Sequence, residues 1–286
     1  MSMKLMYITN NPKVAQIAED AGVDRIFVDM EYIGKAERQG GMDTVQSHHT
    51  VEDVRNIRRV LFKSDLLVRI NPLHNGTEEY PSSKEEIDAV IEAGADIVML
   101  PYFKTVEEAK TFLKLVDGRA KSFLLLETPE AMAAIDEIVK LPGIDRIHVG
   151  LNDLGLGLGK TFMFELLSDG TVEMLSRKIR AAGISFGFGG IASLGKGLLP
   201  SEYVIREHYR LDSTSAILSR SFCNVHKITD LREIRRIFTM GVMEIRALER
   251  ECQGEDRNGP YFTESHQIMA QKVQKICQQI AERKNA

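Results

Sequence analysis

The sequence has few cysteines, no cluster of basic residues and no long apolar run, and each absence argues against a class of protein. The three cysteines, Cys223, Cys252 and Cys277, are odd in number and widely spaced. This spacing indicates reduced thiols of a cytoplasmic protein rather than a disulfide framework or a zinc site. The N-terminus lacks the apolar core of a signal peptide, and no run approaches the roughly 18 apolar residues of a membrane helix.

Charge and composition are those of an ordinary globular protein. Lys and Arg together number 37 against 41 Asp and Glu, for a formal net charge of -4. Because no basic patch is present, neither nucleic acid nor an anionic membrane is an expected partner. With 286 residues, of which 43% are hydrophobic, the chain can form one large α/β barrel or two small domains.

Glycine signals recur along the chain at the spacing of a repeated strand and helix unit. Gly22, Gly94 and Gly143 each end a predicted helix, and each is followed two residues later by an aspartate that leads into an apolar stretch. A glycine at a helix C-terminus before a buried strand is typical of a helix-to-strand connection. The repetition of this signal indicates alternating strands and helices.

Helix starts are marked by capping boxes, which we assign to Ser83 with Glu86 and to Thr105 with Glu108. The predicted strands lie near residues 4–9, 25–30, 66–70, 96–101, 122–127, 145–150, 184–188 and 214–219. Eight strands that alternate with helices predict a (β/α)8 barrel. A doubly wound open sheet is the alternative, which fits less well because no Gly-x-Gly-x-x-Gly follows the first strand.

The barrel domain is expected to span residues 1–226, and residues 227–286 are expected to form C-terminal helices. The first of these helices, which starts at Asp230, is predicted to close the barrel, and the last to pack on it or to contact a neighbouring subunit. The polar segment 34–50 follows the second strand and is too long for a simple connection. We predict that it forms a mobile loop over the site.

Polar side chains follow several of the predicted strands, at the end of the barrel where active sites lie. Glu127 follows strand five and Asp153 follows strand six. Two hard oxygen ligands suit Mg²⁺ or Mn²⁺ and leave coordination positions for water and substrate. The alternative is that each carboxylate caps a neighbouring helix or pairs with a basic residue.

Arg69 ends the otherwise apolar third strand, where an unpaired charge would be costly. Its planar guanidinium matches the oxygens of a carboxylate or an enolate, although an ion pair with Glu31 at the barrel mouth explains it as well. The glycine-rich run 187–190 offers backbone amides of the kind that bind phosphate in barrels, and a tight turn is the alternative explanation.

Histidine and lysine residues near the same rim are weaker candidates for catalysis. His48 and His49 lie in the long loop and are either catalytic or simply solvent-exposed. His148 lies within strand six and is predicted to be an interior histidine rather than a ligand. Lys104 falls in the loop after strand four, which disfavours Schiff-base chemistry because that chemistry needs a desolvated lysine.

Five short motifs, taken in order, resemble the HpcH/HpaI aldolase and citrate lyase β-subunit family over about residues 4–225. The motifs occupy residues 27–31, 68–72, 98–101, 126–128 and 149–154. The resemblance implies a (β/α)8 barrel that assembles as a homo-oligomer, often with the C-terminal helix on a neighbour. It also implies that Glu127 and Asp153 bind a divalent metal and that Arg69 contacts the keto or enolate oxygen of the substrate.

The resemblance further implies roles for residues around these ligands. The backbone amides around Asn152 and Asp153 would receive the substrate carboxylate, and Glu31 would act through water on the metal. We add Gly150, beside Asn152, and Gly189, in the glycine run, as expected substrate-binding residues.

One departure from the family pattern concerns the general base. The aldolase branch usually has His directly after the Glu of the strand-two motif, where this chain has Tyr32. His48, His49, or Tyr32 with a water are the candidate replacements.

From the metal ligands, Arg69 and the family resemblance together, we predict a metal-dependent carbon–carbon lyase acting on a small 2-keto or hydroxy acid. An acyl-CoA lyase of the citrate lyase type, or a barrel that only binds a metabolite, are the alternatives.

Overall fold

Parallel strands form the centre of the computed structural model, which describes residues 2–34, 48–78 and 80–285. The described strands are β1 Lys4–Ile8, β2 Arg25–Asp29, β3 Asp65–Arg69, β4 Ile97–Leu100, β5 Lys121–Leu126, β6 Arg146–Val149, β7 Ser185–Phe188, β8 Gly190–Ile191 and β9 Ser215–Leu218. They pair side by side in the order β7-β6-β5-β4-β3-β2-β1-β9-β8. Because β8 follows β7 after one residue, the two ends of this order meet and the strands form a nearly closed barrel. The predicted (β/α)8 barrel is confirmed.

Each of the eight predicted strands is present, and the seventh differs in being broken. Gly189 separates β7 from β8 and has a φ of +47°, in the left-handed region that suits glycine. The break turns the chain at the carboxyl end of the seventh strand. It therefore lies at the rim where the candidate site residues are expected.

Helices surround the barrel, and their starts follow the capping rules with one correction. The described helices are α1 Pro12–Asp20, α2 Val51–Arg58, α3 Ser83–Glu92, α4 Val106–Val116, α5 Pro129–Ala133, α6 Ile135–Ile138, α7 Leu151–Gly157, α8 Glu165–Ser168, α9 Thr171–Ala181, α10 Ser201–Arg210, α11 Leu231–Gln253 and α12 Pro260–Asn285. Thr105 and Glu108 form the predicted capping box of α4. The box of α3 is formed by Ser82 and Glu85, one residue before the predicted pair.

The core has two layers, one between the sheet and the helices and one inside the barrel. The inner layer is a plug of buried side chains at Met6, Phe27, Leu67, Ile97, Met99, Phe123 and Leu125. Burying a large apolar side chain contributes about 1.5–3 kcal/mol. Because this plug fills the barrel interior, a ligand has room only above it, at the rim.

The C-terminal helices pack on the barrel of their own chain. Helix α11 packs against α1 and α10, and α12 packs against α8 and α10. Glu249 on α11 accepts hydrogen bonds from the Met3 amide at 2.8 Å and the Tyr209 hydroxyl at 2.9 Å, which ties α11 to the start of β1. The expected contact of α12 with a neighbouring subunit stays a prediction.

Three further expectations concern the loop, the thiols and the membrane. Most of the predicted 34–50 loop lies outside the described residues. Cys223 and Cys252 are buried and Cys277 is half-buried, all three as free thiols. Among the helices that the structure describes, none is both long and apolar enough to span a bilayer.

Candidate active site

A pocket of about 180 Å³ opens at the carboxyl ends of the barrel strands. It brings together six of the residues predicted from the sequence, namely Arg69, Glu127, Gly150, Asn152, Asp153 and Gly189. The rest of the described lining consists of residues that were not predicted from the sequence as site residues: Leu125, His148, Leu151, Met163, Gly190 and Ile217. The two proposed metal ligands and the proposed oxygen-binding arginine therefore share one cavity.

A larger groove, of about 840 Å³, lies at the opposite end of the barrel beside Asp96, Lys121 and Asp145. These residues stand at the amino ends of the strands. Of the site residues predicted from the sequence, none lies in the described lining of this groove. Chemistry in parallel barrels belongs to the carboxyl ends of the strands, so the smaller pocket is the candidate active site.

Glu127 is held at the edge of the pocket by its neighbours on two strands. Its Oε1 atom accepts a hydrogen bond of 3.0 Å from the Tyr102 amide. Tyr102 has a φ of +49°, a conformation that costs a residue other than glycine about 1–3 kcal/mol. On the other side, a Cβ atom at Gly150 would lie 2.7 Å from Glu127 Oε2. Only glycine at position 150 leaves room for this carboxylate.

The carboxylates around the pocket repel one another. The pKa of Glu127 is raised well above its ordinary value by burial, then by the charges of Glu31 and Asp153, while Arg69 lowers it. This shift means that the pocket favours taking up positive charge, as a proton or as a cation. Within the described chain no three His, Cys, Asp or Glu side chains form a ready-made metal-binding group. A cation held by Glu127 and Asp153 would need oxygens from water or substrate as well.

Arg69 is both paired and exposed to the pocket. Its Nε and Nη2 atoms donate to the two carboxylate oxygens of Asp29 at 2.8 and 2.7 Å, and Nη1 lies 3.3 Å from Glu31 Oε2. Burial lowers the pKa of Arg69, but the charges of Asp29 and Glu31 raise it by a larger amount, so the net shift is upward. The predicted ion pair with Glu31 is present, and the role in substrate binding stays a prediction.

Asp29 accepts both hydrogen bonds that orient Arg69, and it was not predicted from the sequence as an individual candidate. It is the last residue of β2 and is the direct register partner of Arg69 in β3. The sequence did contain a signal for this pair, because one predicted strand ends in a carboxylate and the next ends in an arginine. Parallel pairing in register would have placed the two side chains together.

The candidates for the general base lie beside the pocket rather than in its described lining. Nδ1 of His49 accepts a hydrogen bond of 3.0 Å from the Asp29 amide. An amide can only donate, so the ring proton of His49 is on Nε2. His48 is exposed, and its ring centroid lies 6.3 Å from that of Tyr32. The catalytic roles of His48, His49 and Tyr32 stay predictions.

Tyr32 is held by one hydrogen bond from its backbone amide and by one aromatic contact of its ring. Its amide donates a hydrogen bond of 3.0 Å to Asn71 Oδ1, and its ring lies 5.4 Å from that of Tyr80. Burial raises the pKa of Tyr32, and the charges of Tyr80 and Glu86 raise it further. A phenol with a raised pKa is a poor base near neutral pH.

Three other predictions concern His148, Lys104 and Gly189. His148 is fully buried, as predicted, but it also lines the pocket. Lys104 lies 3.7 Å from Glu130 on the protein surface, in keeping with the loop position that disfavours an imine. Gly189 lines the pocket, but its amide donates to the Val149 carbonyl at 2.9 Å. A substrate would therefore contact Gly189 through atoms other than that amide proton.

Comparison with solved structures supports the barrel architecture. An HpcH/HpaI aldolase/citrate lyase family protein from Burkholderia cenocepacia J2315 matches with a TM-score of 0.58 at 15% identity, over 82% of this chain and 95% of that one. An HpcH/HpaI aldolase from Desulfitobacterium hafniense DCB-2 matches with a TM-score of 0.57 at 14% identity, over 82% and 93%. The citrate synthase SbnG matches with a TM-score of 0.59 at 16% identity, over 82% and 94%. At these identities the likeness shows the fold alone.

The sequence itself carries the assignment to a family. A comparison with curated proteins finds no significant match. The family model described as HpcH/HpaI aldolase/citrate lyase matches residues 4–188, which is more than half of the chain. This span contains Arg69, Glu127 and Asp153 together with their strands. The chain therefore belongs to the HpcH/HpaI aldolase/citrate lyase family.

Proposed function

We propose that this protein is a divalent-metal-dependent carbon–carbon lyase that acts on a small 2-keto or hydroxy acid. The observation that carries the proposal is the convergence of Glu127, Asp153 and Arg69 on one pocket of about 180 Å³. A cavity of this size suits a small acid better than a CoA thioester. Among the described lining residues, Arg69 is the single lysine or arginine, which also disfavours a polyphosphate ligand.

The charge balance of the pocket supports a metal requirement. Glu127, Asp153 and Glu31 together would repel an anionic keto acid. The pKa of Glu127 is raised by burial first and by the charges of Glu31 and Asp153 as well. Carboxylate oxygens are the ligands that Mg²⁺ and Mn²⁺ prefer. We assign the cation to Glu127 and Asp153. When bound, it would act as a Lewis acid toward the carbonyl oxygen of the substrate.

The residues of this chain then have separate tasks in the cleavage direction. A base removes the proton from the substrate hydroxyl, the carbon–carbon bond breaks, and its electron pair forms an enolate while the other fragment leaves as a carbonyl compound. Arg69, oriented by Asp29, stabilises the charge on the enolate oxygen. We propose His48 as the base, with a water beside Tyr32 as the alternative. His49 is less suited, because its Nδ1 atom already accepts from the Asp29 amide and its Nε2 atom carries the ring proton. Proton uptake by the enolate carbon gives a pyruvate-type acid.

Metal binding is tested first, by titrating metal-stripped protein with Mn²⁺ and measuring the dissociation constant by calorimetry. Glu127→Ala and Asp153→Ala should each weaken binding by at least about tenfold, since even changes outside the ligand set cost that much. Glu130→Ala is the matched control, because Glu130 lies in the first turn of α5 but is exposed on the surface. Equal affinity in Glu127→Ala and the parent would contradict the metal assignment.

Catalysis is tested by the exchange of pyruvate methyl protons with solvent and by cleavage of a panel of hydroxy keto acids. Both are expected to require Mg²⁺ or Mn²⁺ and to fall in Arg69→Lys. A thermal-shift screen of keto acids against CoA thioesters distinguishes the acyl-CoA alternative. Metal binding without exchange or cleavage would instead favour a barrel that only binds a metabolite.

A further inference from the structure

His148 makes one directed hydrogen bond from the inner face of β6. The residue is fully buried, and its Nε2 atom lies 3.1 Å from the Gly189 carbonyl oxygen. A carbonyl oxygen can only accept, so Nε2 carries the proton and Nδ1 does not. Burial lowers the pKa of His148 to about 4, which keeps the ring neutral near neutral pH. The imidazole is therefore a fixed hydrogen-bond donor to Gly189.

The ring reaches Gly189 because the neighbouring strand has no side chain in its way. His148 and Gly187 are register partners across β6 and β7. A Cβ atom at Gly187 would lie 2.8 Å from His148 Nδ1 and in collision with Ser215 Oγ. In the described structure Nδ1 has no hydrogen-bond partner. The bond to Gly189 is thus the one polar anchor of a fully buried ring.

Gly189 in turn lies against the helix that carries a proposed metal ligand. A Cβ atom at Gly189 would lie 2.7 Å from Leu151 Cδ1, so the glycine backbone is packed directly on that side chain. Leu151 is the first residue of α7, which also contains Asp153. Besides the bond from His148, the Gly189 carbonyl accepts only a long bond of 3.4 Å from the Ile217 amide within the described chain.

We propose that His148 is a positioning residue for Asp153, acting through Gly189 and Leu151. The inference rests on the proposed function, because it assigns Asp153 to the metal. Without the donor at Nε2, the carbonyl of Gly189 would be left with a weak bond inside the barrel, where an unsatisfied acceptor is costly. The strand break at Gly189 would then relax, and the start of α7 would shift with it.

Three substitutions separate the hydrogen bond from simple packing. The amide nitrogen of Gln can take the place of Nε2, whereas that of Asn corresponds to Nδ1 and falls short of Gly189. His148→Leu and His148→Asn should weaken Mn²⁺ binding by about tenfold, as changes behind a metal ligand do, and His148→Gln should bind nearly as well as the parent. If the Leu variant does not fold, His148→Asn carries the test.

His208→Leu is the matched control for loss of a buried histidine. His208 is fully buried in α10 and stacks on Phe188 with ring centroids 3.8 Å apart, while its Nδ1 pairs with Ser213 Oγ at 2.7 Å. This variant should lower the melting temperature and leave Mn²⁺ affinity unchanged. Equal loss of affinity in His208→Leu and His148→Leu would overturn the positioning role.

A readout without metal distinguishes this inference from the proposed function. In metal-free protein, His148→Leu and His148→Asn should speed hydrogen exchange at the amides of Gly189 and Ile217, while His148→Gln should not. Unchanged exchange in the Leu and Asn variants would overturn the role of His148. Failure of the parent to bind Mn²⁺, with exchange altered as expected, would overturn the proposed function and leave the link from His148 to Gly189 standing.

Discussion

Asp29 and Arg69 form a two-point ion pair across the ends of β2 and β3, with hydrogen bonds of 2.8 and 2.7 Å. Both oxygens of the carboxylate are used, and the fork of the guanidinium is thereby fixed in one orientation. The remaining Nη1 atom lies 3.3 Å from Glu31, and Arg69 also borders the pocket. A buried ion pair adds little net stability. We therefore interpret this pair as one that holds the Arg69 side chain in a fixed orientation toward the pocket.

Removing the arginine should therefore cost more stability than removing the whole pair. Arg69→Met removes the guanidinium that pairs with the buried carboxylates of Asp29 and Glu31, and we expect the free energy of unfolding to fall by about 3–5 kcal/mol. Adding Asp29→Asn to that variant should restore part of the loss. Urea denaturation of the two single variants and the double variant measures the coupling. A strictly additive cycle would contradict the pairing.

The raised pKa of Glu127 predicts a dependence of stability on pH. Its ordinary pKa is 4.5, and burial with the charges of Glu31 and Asp153 raises it in the folded state. An acid shifted upward on folding stabilises the folded state below its unfolded pKa, and that contribution is lost as pH rises toward the folded value. Metal-free protein should therefore lose stability from about pH 4.5 upward.

Glu127→Gln is the control for this titration. The amide keeps the shape of the side chain and cannot release a proton, so the loss of stability with rising pH should be smaller than in the parent. Saturating Mn²⁺ should also reduce the loss, because a bound cation favours the ionised carboxylate. Denaturation midpoints measured from pH 4.5 to 8 test both expectations, and identical profiles for parent and variant would contradict the shift.

The architecture could be predicted from sequence because its signals are local and repeated. Glycines such as Gly22, Gly94 and Gly143 adopt positive φ at 93°, 100° and 88°, which side-chain-bearing residues avoid, so their positions mark the ends of helices. The strands between them are buried on both sides and read as continuous apolar runs. The break at Gly189 was not predicted, because a glycine-rich run fits either a turn or an unbroken strand end.

The site could be predicted in part. The carboxylates and the arginine were found because charged groups at the ends of apolar strands are conspicuous. Two contacts of Glu127 were not predicted: the hydrogen bond from the Tyr102 amide and the close packing of Gly150. Each depends on backbone atoms whose direction no residue type reveals. For the same reason, His148 was predicted to be interior without its contact to Gly189.

His48 and His49 are expected to respond differently to removal, although they are adjacent. His49→Ala leaves the Asp29 amide without the acceptor that it has at 3.0 Å, which should cost about 1–3 kcal/mol of stability. His49→Asn keeps an acceptor near the same position and should cost less. Thermal or urea denaturation of the two variants measures the difference.

His48 is exposed, so His48→Ala should leave stability unchanged. If His48 is the general base, this variant should lower kcat by about 10²–10⁴-fold, with a smaller change in KM. The readout is cleavage of a hydroxy keto acid at saturating Mg²⁺. A normal kcat in His48→Ala would remove His48 from the reaction and leave a water beside Tyr32 as the candidate base.

Gly150→Ala tests the close packing beside Glu127 with the smallest possible change. The backbone of Gly150 has a φ of −78°, which alanine adopts freely, so the substitution introduces no backbone strain. The added methyl group would lie 2.7 Å from Glu127 Oε2 and 2.8 Å from its Cβ. The carboxylate must then move, and we expect weaker Mn²⁺ binding, by about tenfold, as for other displaced ligand sets.

Gly155→Ala provides the matched control in α7, which begins directly after Gly150, since a Cβ atom at Gly155 would meet nothing closer than 3.5 Å. Alanine is favoured over glycine inside a helix by about 0.8–1.0 kcal/mol, so this variant should be slightly more stable, with Mn²⁺ affinity equal to that of the parent. Titration with Mn²⁺ and thermal denaturation of both variants separate the two effects. If Gly150→Ala binds Mn²⁺ like Gly155→Ala, then the Glu127 carboxylate is not a ligand in the position described.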